Sequence, residues 1–219
     1  LDVARGEWIT FVDADDWIVK DCLNLEYSLF QEDLIIFSYY NNSETSNNLF
    51  PINSFVTKGK DELNDLYQTL IYKGFFRTVW SKLFKKSIIN NLRFDEAISI
   101  GEDHLFLLNY LCKIEACRFV DKPFYVHRSF DFLFKKYQIE ISKAIYIMSS
   151  LFSVYDKLNV KNKNFEIDVF CEYKSFCQKY VDKNPELWYN NPFVKKIYRR
   201  VKRNLRISYR IRYKLMSFL

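Results

Sequence analysis

The chain has 219 residues, 49% hydrophobic and 19% aromatic, enough apolar mass for one large domain or two small ones and too much for a disordered protein. Its five cysteines, at positions 22, 112, 117, 171 and 177, form no C-x-x-C pair and meet no histidine at zinc-finger spacing, which argues against a disulfide framework or structural zinc and for reduced thiols in a cytoplasmic protein. The net charge of +6 is uneven: residues 195–214 hold ten Lys or Arg and no acid, and taking those ten from +6 leaves −4 on the rest.

In chain order, residues 7–12 (EWITFV) are apolar on both faces, the pattern of a buried strand in a mixed or parallel sheet, and they run directly into Asp13, Asp15 and Asp16. Asp21 is placed to cap a helix over 22–31, and DLIIFSYY, 33–40, reads as the next strand. The polar run NNSETSNN, 41–48, reads as an exposed loop. Leu63, Leu66, Leu70 and Ile71 recur at helical spacing within 60–73, and TVWSKLFKKSIINN, 78–91, reads as a short helix closed by Asn90 and Asn91. After Gly101, EDHLFLLNYLCKI reads as a helix with its acids in the first turn, and ACRFVDKPFYVHRS as two short strands broken at Pro123. From residue 131 the pattern is helical to the end, with a break near 159–164. No stretch, AIYIMSSLFSVY included, reaches the roughly 18 consecutive apolar residues of a membrane span.

The carboxylates at 13, 15 and 16 repel one another unless a cation, hydrogen-bond donors or open water offset them. An Asp-x-Asp at the end of a buried strand offers oxygen ligands in a fixed place, suited to Mg²⁺ or Mn²⁺ that in turn holds phosphates; the alternative is a solvated turn. Glu102 and Asp103 either cap a helix or aim one carboxylate into a cleft as a general base. His127 is a candidate third metal or phosphate contact, with Arg128 beside it as a phosphate partner. Trp80 and Lys82 are candidates for the floor of an acceptor pocket, since an aromatic face suits a sugar ring; core packing is the competing explanation.

Three segments resemble family 2 glycosyltransferases of the GT-A fold. LDVARGEWITFVDADDWI is similar to their A-R-N-x-G-L-x-x-A-x-G-E-Y-I-x-F-L-D-S-D-D stretch, with Leu1 on the leucine after the first glycine. TVWSKLFKKSIINNLRFDEAISIGEDHLF resembles W-N-K-L-[FY]-[KR]…R-F…E-D-x-x-F, and FYVHRS resembles Y-x-Y-R-x-S or Y-x-H-R. The resemblance covers residues 1–130 and implies a partial GT-A (Rossmann-like) α/β domain, a mixed sheet flanked by helices, followed by a helical region over 131–219. It further implies an inverting, metal-dependent transfer of a sugar from a nucleotide-sugar, commonly UDP-linked, to the hydroxyl of a glycan or lipid-linked acceptor in cell-surface polysaccharide or glycolipid synthesis. On that footing Asp13 contacts the nucleotide, Asp15 the metal, and Asp103 is the base with Glu102 as its neighbour. His127 and Arg128 close over the diphosphate, and Asp16 is grouped with Trp80 and Lys82 among the substrate contacts. Family members carry a strand and helix upstream that bind the nucleoside base. The chain starts inside the motif, so a fragment that binds nucleotide-sugar poorly by itself is the expectation.

In the tail, Val194, Ile197, Tyr198, Val201 and Leu205 fall at helical spacing among Lys and Arg. Such a helix either lies on an anionic membrane at the inner face of the cell membrane, apolar side down, or packs on the domain with its cations in water. The competing classes are a basic nucleic-acid-binding protein, which leaves the acidic motifs unexplained, and a non-catalytic scaffold, against which the intact Asp13, Asp15 and Asp103 count; no nucleic-acid partner is expected.

Overall fold

The structure is a computed structural model that describes residues 1–22, 30–43, 46–70, 75–128, 138–159 and 163–204. The chain divides into two units, Leu1–Leu133 and Phe134–Leu219. The expected helix over 22–31 falls mostly outside the described residues.

The first unit is an α/β structure built on a seven-stranded mixed sheet. Its main path runs β1 (Trp8–Ile9), β6 (Lys82–Lys85), β3 (Leu34–Asn42), β7 (Cys117–Arg128), β2 (Trp17–Ile18). β4 (Asn47–Phe50) adds to β3 and β5 (Phe55–Val56) to β7. Only β3 and β7 run parallel; every other pair of strands is antiparallel. Leu34, Ile35, Ile36 and Phe37 are wholly buried in β3, which lies between β6 and β7 with both edges paired; burial of consecutive residues means that both faces of the strand are covered there.

Three helices accompany the sheet: α1 (Lys60–Leu70), the single turn α2 (Lys86–Ile89) and α3 (Glu102–Leu111). Seven of the ten α3 side chains are buried, so this is a helix inside the unit rather than a surface helix with one wet side. Tyr110 ties it to the sheet, its hydroxyl donating to Asp33 O at 2.6 Å and accepting the Lys85 amide at 2.8 Å. Phe11 meets Phe84, Phe94 and Phe106 edge to face, with ring centroids 5.4 to 5.6 Å away. Phe11 stands two residues before Asp13 and Phe106 three after Asp103, so this aromatic cluster is what draws the two acidic segments together.

Four expectations need correction. The buried strand over 7–12 is a two-residue edge strand followed by an isolated bridge from Phe11 to Trp80; among the described residues it pairs with β6 alone. The polar run 41–48 is mostly a hairpin, because Tyr39 stacks on Phe50 at 5.0 Å and the Ser46 amide donates to the Ser43 hydroxyl at the turn. In 78–91 the residues Lys82–Lys85 are strand, filling the gap between β1 and β3, and helix is confined to Lys86–Ile89 before Asn90 turns to φ 39°. Pro123 does not break β7: the register against β3 shifts there, from Phe37↔Val120 to Ser38↔Pro123, a bulge that takes up the missing N–H.

The second unit is helical: α4 (Ile141–Lys157), α5 (Lys163–Phe176), α6 (Gln178–Val181), α7 (Pro185–Tyr189) and α8 (Pro192–Asn204). Its core gathers Met148, Leu151 and Tyr155 of α4, Phe170 and Tyr173 of α5, and Trp188 of α7. Val194, Ile197 and Val201 of α8 are buried as well. Three residues of the apolar stripe of the basic helix are thus packed in the core, whereas Tyr198 is 41% exposed; residues 205–214, Leu205 among them, lie outside the described part. No described helix is long and apolar enough to cross a membrane, and none of the five cysteines forms a disulfide.

Candidate active site

The acidic turn is held by β7. Asp16 N–H donates to Asp13 O at 3.1 Å, closing the turn over residues 13–16, and β2 then pairs with β7 in the register Trp17↔Val126, Ile18↔Tyr125. Tyr125 supplies the clamp: its hydroxyl accepts the Asp13 amide at 3.0 Å and donates to Asp16 Oδ2 at 2.7 Å. The Arg128 amide donates to Asp16 Oδ1, also at 2.7 Å. Both oxygens of Asp16 therefore accept a hydrogen bond from β7, and the residue pegs the turn. With Asp16 pinned, Asp13 and Asp15 are left exposed. The Arg128 guanidinium lies over the Trp17 ring at 5.3 Å, which steadies it beside the turn.

Asp13 is the electrostatic hub. Partial burial and the charges of Asp16, Asp15 and Glu102 push its carboxyl above the usual range, while His127 pulls it down. Asp13 in turn raises Asp103. The segments around residues 13 and 103 thus belong to one cluster, with Asp15 acting on it through Asp13.

Asp103 opens α3 behind Gly101, which takes the left-handed conformation at φ 83°. Its Oδ2 accepts the Val79 amide at 3.3 Å. Burial is the largest influence on its carboxyl and lifts it to about 6; the Val79 bond and Lys82 pull the other way, Glu102 and Asp13 add to the rise. The helix terminus is outweighed by desolvation, which leaves a carboxylate more basic than an exposed one and still mostly ionised at neutral pH. Beside it, Glu102 Oε2 is buried and meets no hydrogen-bond partner among the described residues.

Trp80 and Lys82 are not an open floor. Trp80 is 8% exposed and stacks on Tyr125 at 5.0 Å and on His127 at 5.3 Å, so its ring face is already covered. Lys82 is 1% exposed, donates to Trp80 O at 3.0 Å, and is held by burial at about 7, with the Asp103 carboxylate pulling the other way. Both residues belong to the scaffold behind the carboxylates.

His127 Nδ1 donates to Asn41 Oδ1 at 2.9 Å, which leaves the Nε2 lone pair for another partner. Among the described residues no group of three His, Cys, Asp or Glu could hold a metal ion, so Asp13, Asp15 and His127 do not form a closed protein-only site. Asn41, Tyr125 and the Val79 amide were not singled out from sequence. Tyr125 had a signal, since it alternates with His127 along one face of a strand; Asn41 and Val79 had none.

Residues 1–93 match the glycosyl transferase family 2 profile. Residues 1–93 of the first unit are thus similar to family 2 glycosyltransferases, and the unit has a GT-A-like fold. Glycosyltransferase GlyA of Streptococcus pneumoniae serotype 4 is 31% identical to the chain over 139 residues, covering 58% of the chain and 20% of GlyA. Bacillus subtilis EpsH is 25% identical over 181 residues, 78% of the chain and 52% of EpsH, so the chain spans about half or less of the length of either relative. In fold, S. aureus TarS superposes on the chain with a TM-score of 0.58 at 20% identity, covering 91% of the chain and 36% of TarS. TarS 1–349 in complex with UDP-GlcNAc gives 0.53 at 15% identity, over 91% of the chain and 57% of that structure.

Proposed function

We propose that the first unit transfers a sugar from a nucleotide-sugar, UDP-linked, to the hydroxyl of a glycan or lipid-linked acceptor in cell-surface polysaccharide or glycolipid synthesis, with inversion at the anomeric carbon. The observation that carries this reading is the partly buried Asp103, lifted to about 6 and electrostatically joined to the exposed acids of the 13–16 turn. The match to family 2 and the likeness to a fold that binds UDP-GlcNAc in TarS support it.

In this mechanism Asp103 Oδ takes the proton of the acceptor hydroxyl as the acceptor oxygen bonds to the anomeric carbon and the bond from that carbon to the diphosphate breaks. A carboxyl near 6 suits the task, since it is ionised at pH 7 and basic enough to share the proton as it leaves oxygen. The pair Asp13 and Asp15 fits Mg²⁺ or Mn²⁺: two exposed, mutually repelling carboxylates are hard oxygen donors that leave room for phosphate oxygens, which explains why no third protein ligand is needed. Such an ion supplies positive charge for the departing diphosphate. His127 Nε2 and the Arg128 guanidinium stand on the same strand to meet that diphosphate, and Glu102 Oε2 is free to accept a hydroxyl of the donor sugar.

The test is UDP release from a panel of UDP-sugars, with Mg²⁺ or Mn²⁺, by the full-length gene product and its Asp103→Asn variant. Turnover is expected to fall by about 10²- to 10⁴-fold in the variant. Equal rates would remove Asp103 from the reaction and the reading with it.

A further inference from the structure

Helix α8 has a second side that the core does not use. Val194, Ile197 and Val201 face inward, and Arg200 is committed to Glu166 and Asp156. The opposite side exposes Lys195, Lys196, Arg199 and Lys202, spaced three and four residues apart so that they share one face, and α8 carries no acid at all. From Lys195 to Lys202 the helix rises only about 10 Å, so a flat anionic surface can meet all four charges at once. The adjoining α7 exposes Leu187.

We propose that this outer face of α8 docks the second unit on a bilayer containing anionic lipid. The attachment is electrostatic: lysine and arginine heads sit among lipid phosphates, while the apolar stripe stays in the protein core and nothing of α8 enters the acyl region. This differs from an amphipathic helix lying apolar side down, and it stands apart from the reaction assigned to the first unit. A single-stranded nucleic acid fits the face less well. Tyr198, 41% exposed, has Lys202 over its ring at 5.9 Å and Phe170 at 6.3 Å, and Tyr189 has Lys174 over it at 5.5 Å, so the aromatic rings that would stack on bases are engaged.

Co-sedimentation of the whole chain with phosphatidylcholine vesicles, with and without phosphatidylglycerol, tests the proposal. Binding is expected only with phosphatidylglycerol and is expected to fade as salt shortens the Debye length. Neutralising the face in K195Q/K196Q/R199Q/K202Q should lower partitioning by up to about three orders of magnitude with helicity and melting temperature unchanged, and reversing it in K195E/K196E/R199E/K202E should lower it further. Unchanged partitioning in both variants, which would put the attraction in residues 205–214, overturns the assignment. So does equal binding to vesicles without phosphatidylglycerol, or displacement from vesicles by a single-stranded oligonucleotide that binds more tightly than they do.

Discussion

Tyr125 and Asp16 are joined by a 2.7 Å hydrogen bond across 109 residues of chain, and the same Tyr125 hydroxyl receives the Asp13 amide at 3.0 Å. One ring on β7 therefore holds both ends of the acidic turn. Burial together with the Asp16 bond raises the phenol well above its ordinary value, so it stays a donor at every pH of interest. Tyr125→Phe keeps the ring against Trp80 and removes only the hydroxyl, leaving the Asp13 amide and one Asp16 oxygen without that partner. The expected cost is about 2 kcal/mol, read as a lower melting temperature, with weaker binding of UDP in the presence of Mn²⁺ because Asp13 and Asp15 lose their fixed placement. Unaltered UDP affinity in this variant would mean that the turn is held by other contacts.

Asp103 links stability and activity with opposite signs. Its folded value, about 6, lies above the ordinary carboxylate value, so the folded chain holds the proton more tightly than the unfolded one. The resulting stabilisation is fully present below about pH 4 and is lost as pH rises through about 6. Asp103→Asn should then be the more stable protein at pH 7, by about 1–2 kcal/mol after allowance for solvent screening, with the difference shrinking toward pH 4. Wild-type kcat/KM should fall below pH 6 as the base is protonated. Urea denaturation of both proteins across that pH range, beside the pH–rate profile, checks the pair of signs.

How much of this was legible in the sequence depends on whether a feature is local. The acids at 13, 15, 102 and 103 and the helix over Glu102–Leu111 were readable because turn and capping chemistry act within a few residues. For Trp80 and Lys82 the sequence left a pocket floor and core packing both open, because a lysine beside an aromatic residue looks like a binding surface; only the neighbouring strands and Asp103 decide that a lysine can sit at 1% exposure. The hairpin over 39–50 was hidden by its polar composition, since the Tyr39–Phe50 stack that pins it joins residues on either side of the polar run. Asp16 looked like its neighbours Asp13 and Asp15, and its different part comes from a tyrosine more than a hundred residues away.

Lys82 tunes Asp103 from behind. Desolvation depresses its ammonium to about 7, so the unfolded chain holds this proton more tightly and the fold gains stability as pH rises from about 7 toward the ordinary lysine value near 10. Lys82→Met replaces the ammonium with an apolar group of similar length. It should raise stability at neutral pH by about 1–3 kcal/mol and flatten the gain on the alkaline side. Because the Lys82 charge lowers Asp103, its removal should also move the acid limb of the pH–rate profile to higher pH. The groups facing this pair are Glu102, Asp13 and Cys117, all retained in the variant. A profile that does not move would show that Lys82 and Asp103 are uncoupled.

In the second unit, Glu166 is fully buried on α5 and its carboxylate is gripped by the Arg200 guanidinium of α8, Nε to Oε2 at 2.9 Å and Nη2 to Oε1, while Nη1 reaches Asp156 Oδ1 at 2.7 Å. Burying the ions costs desolvation that the bidentate pair roughly offsets, so the whole pair contributes little net stability, yet losing one half strands the other. Arg200→Met takes the bidentate partner from a fully buried carboxylate and should cost about 3–5 kcal/mol. Glu166→Gln in the same background removes the buried charge and should recover most of that loss, because a neutral amide is far cheaper to bury than a carboxylate. Helix content followed through urea denaturation of the two single variants and the double variant measures this coupling; additive effects would mean that the Glu166 carboxylate finds another partner when Arg200 is gone.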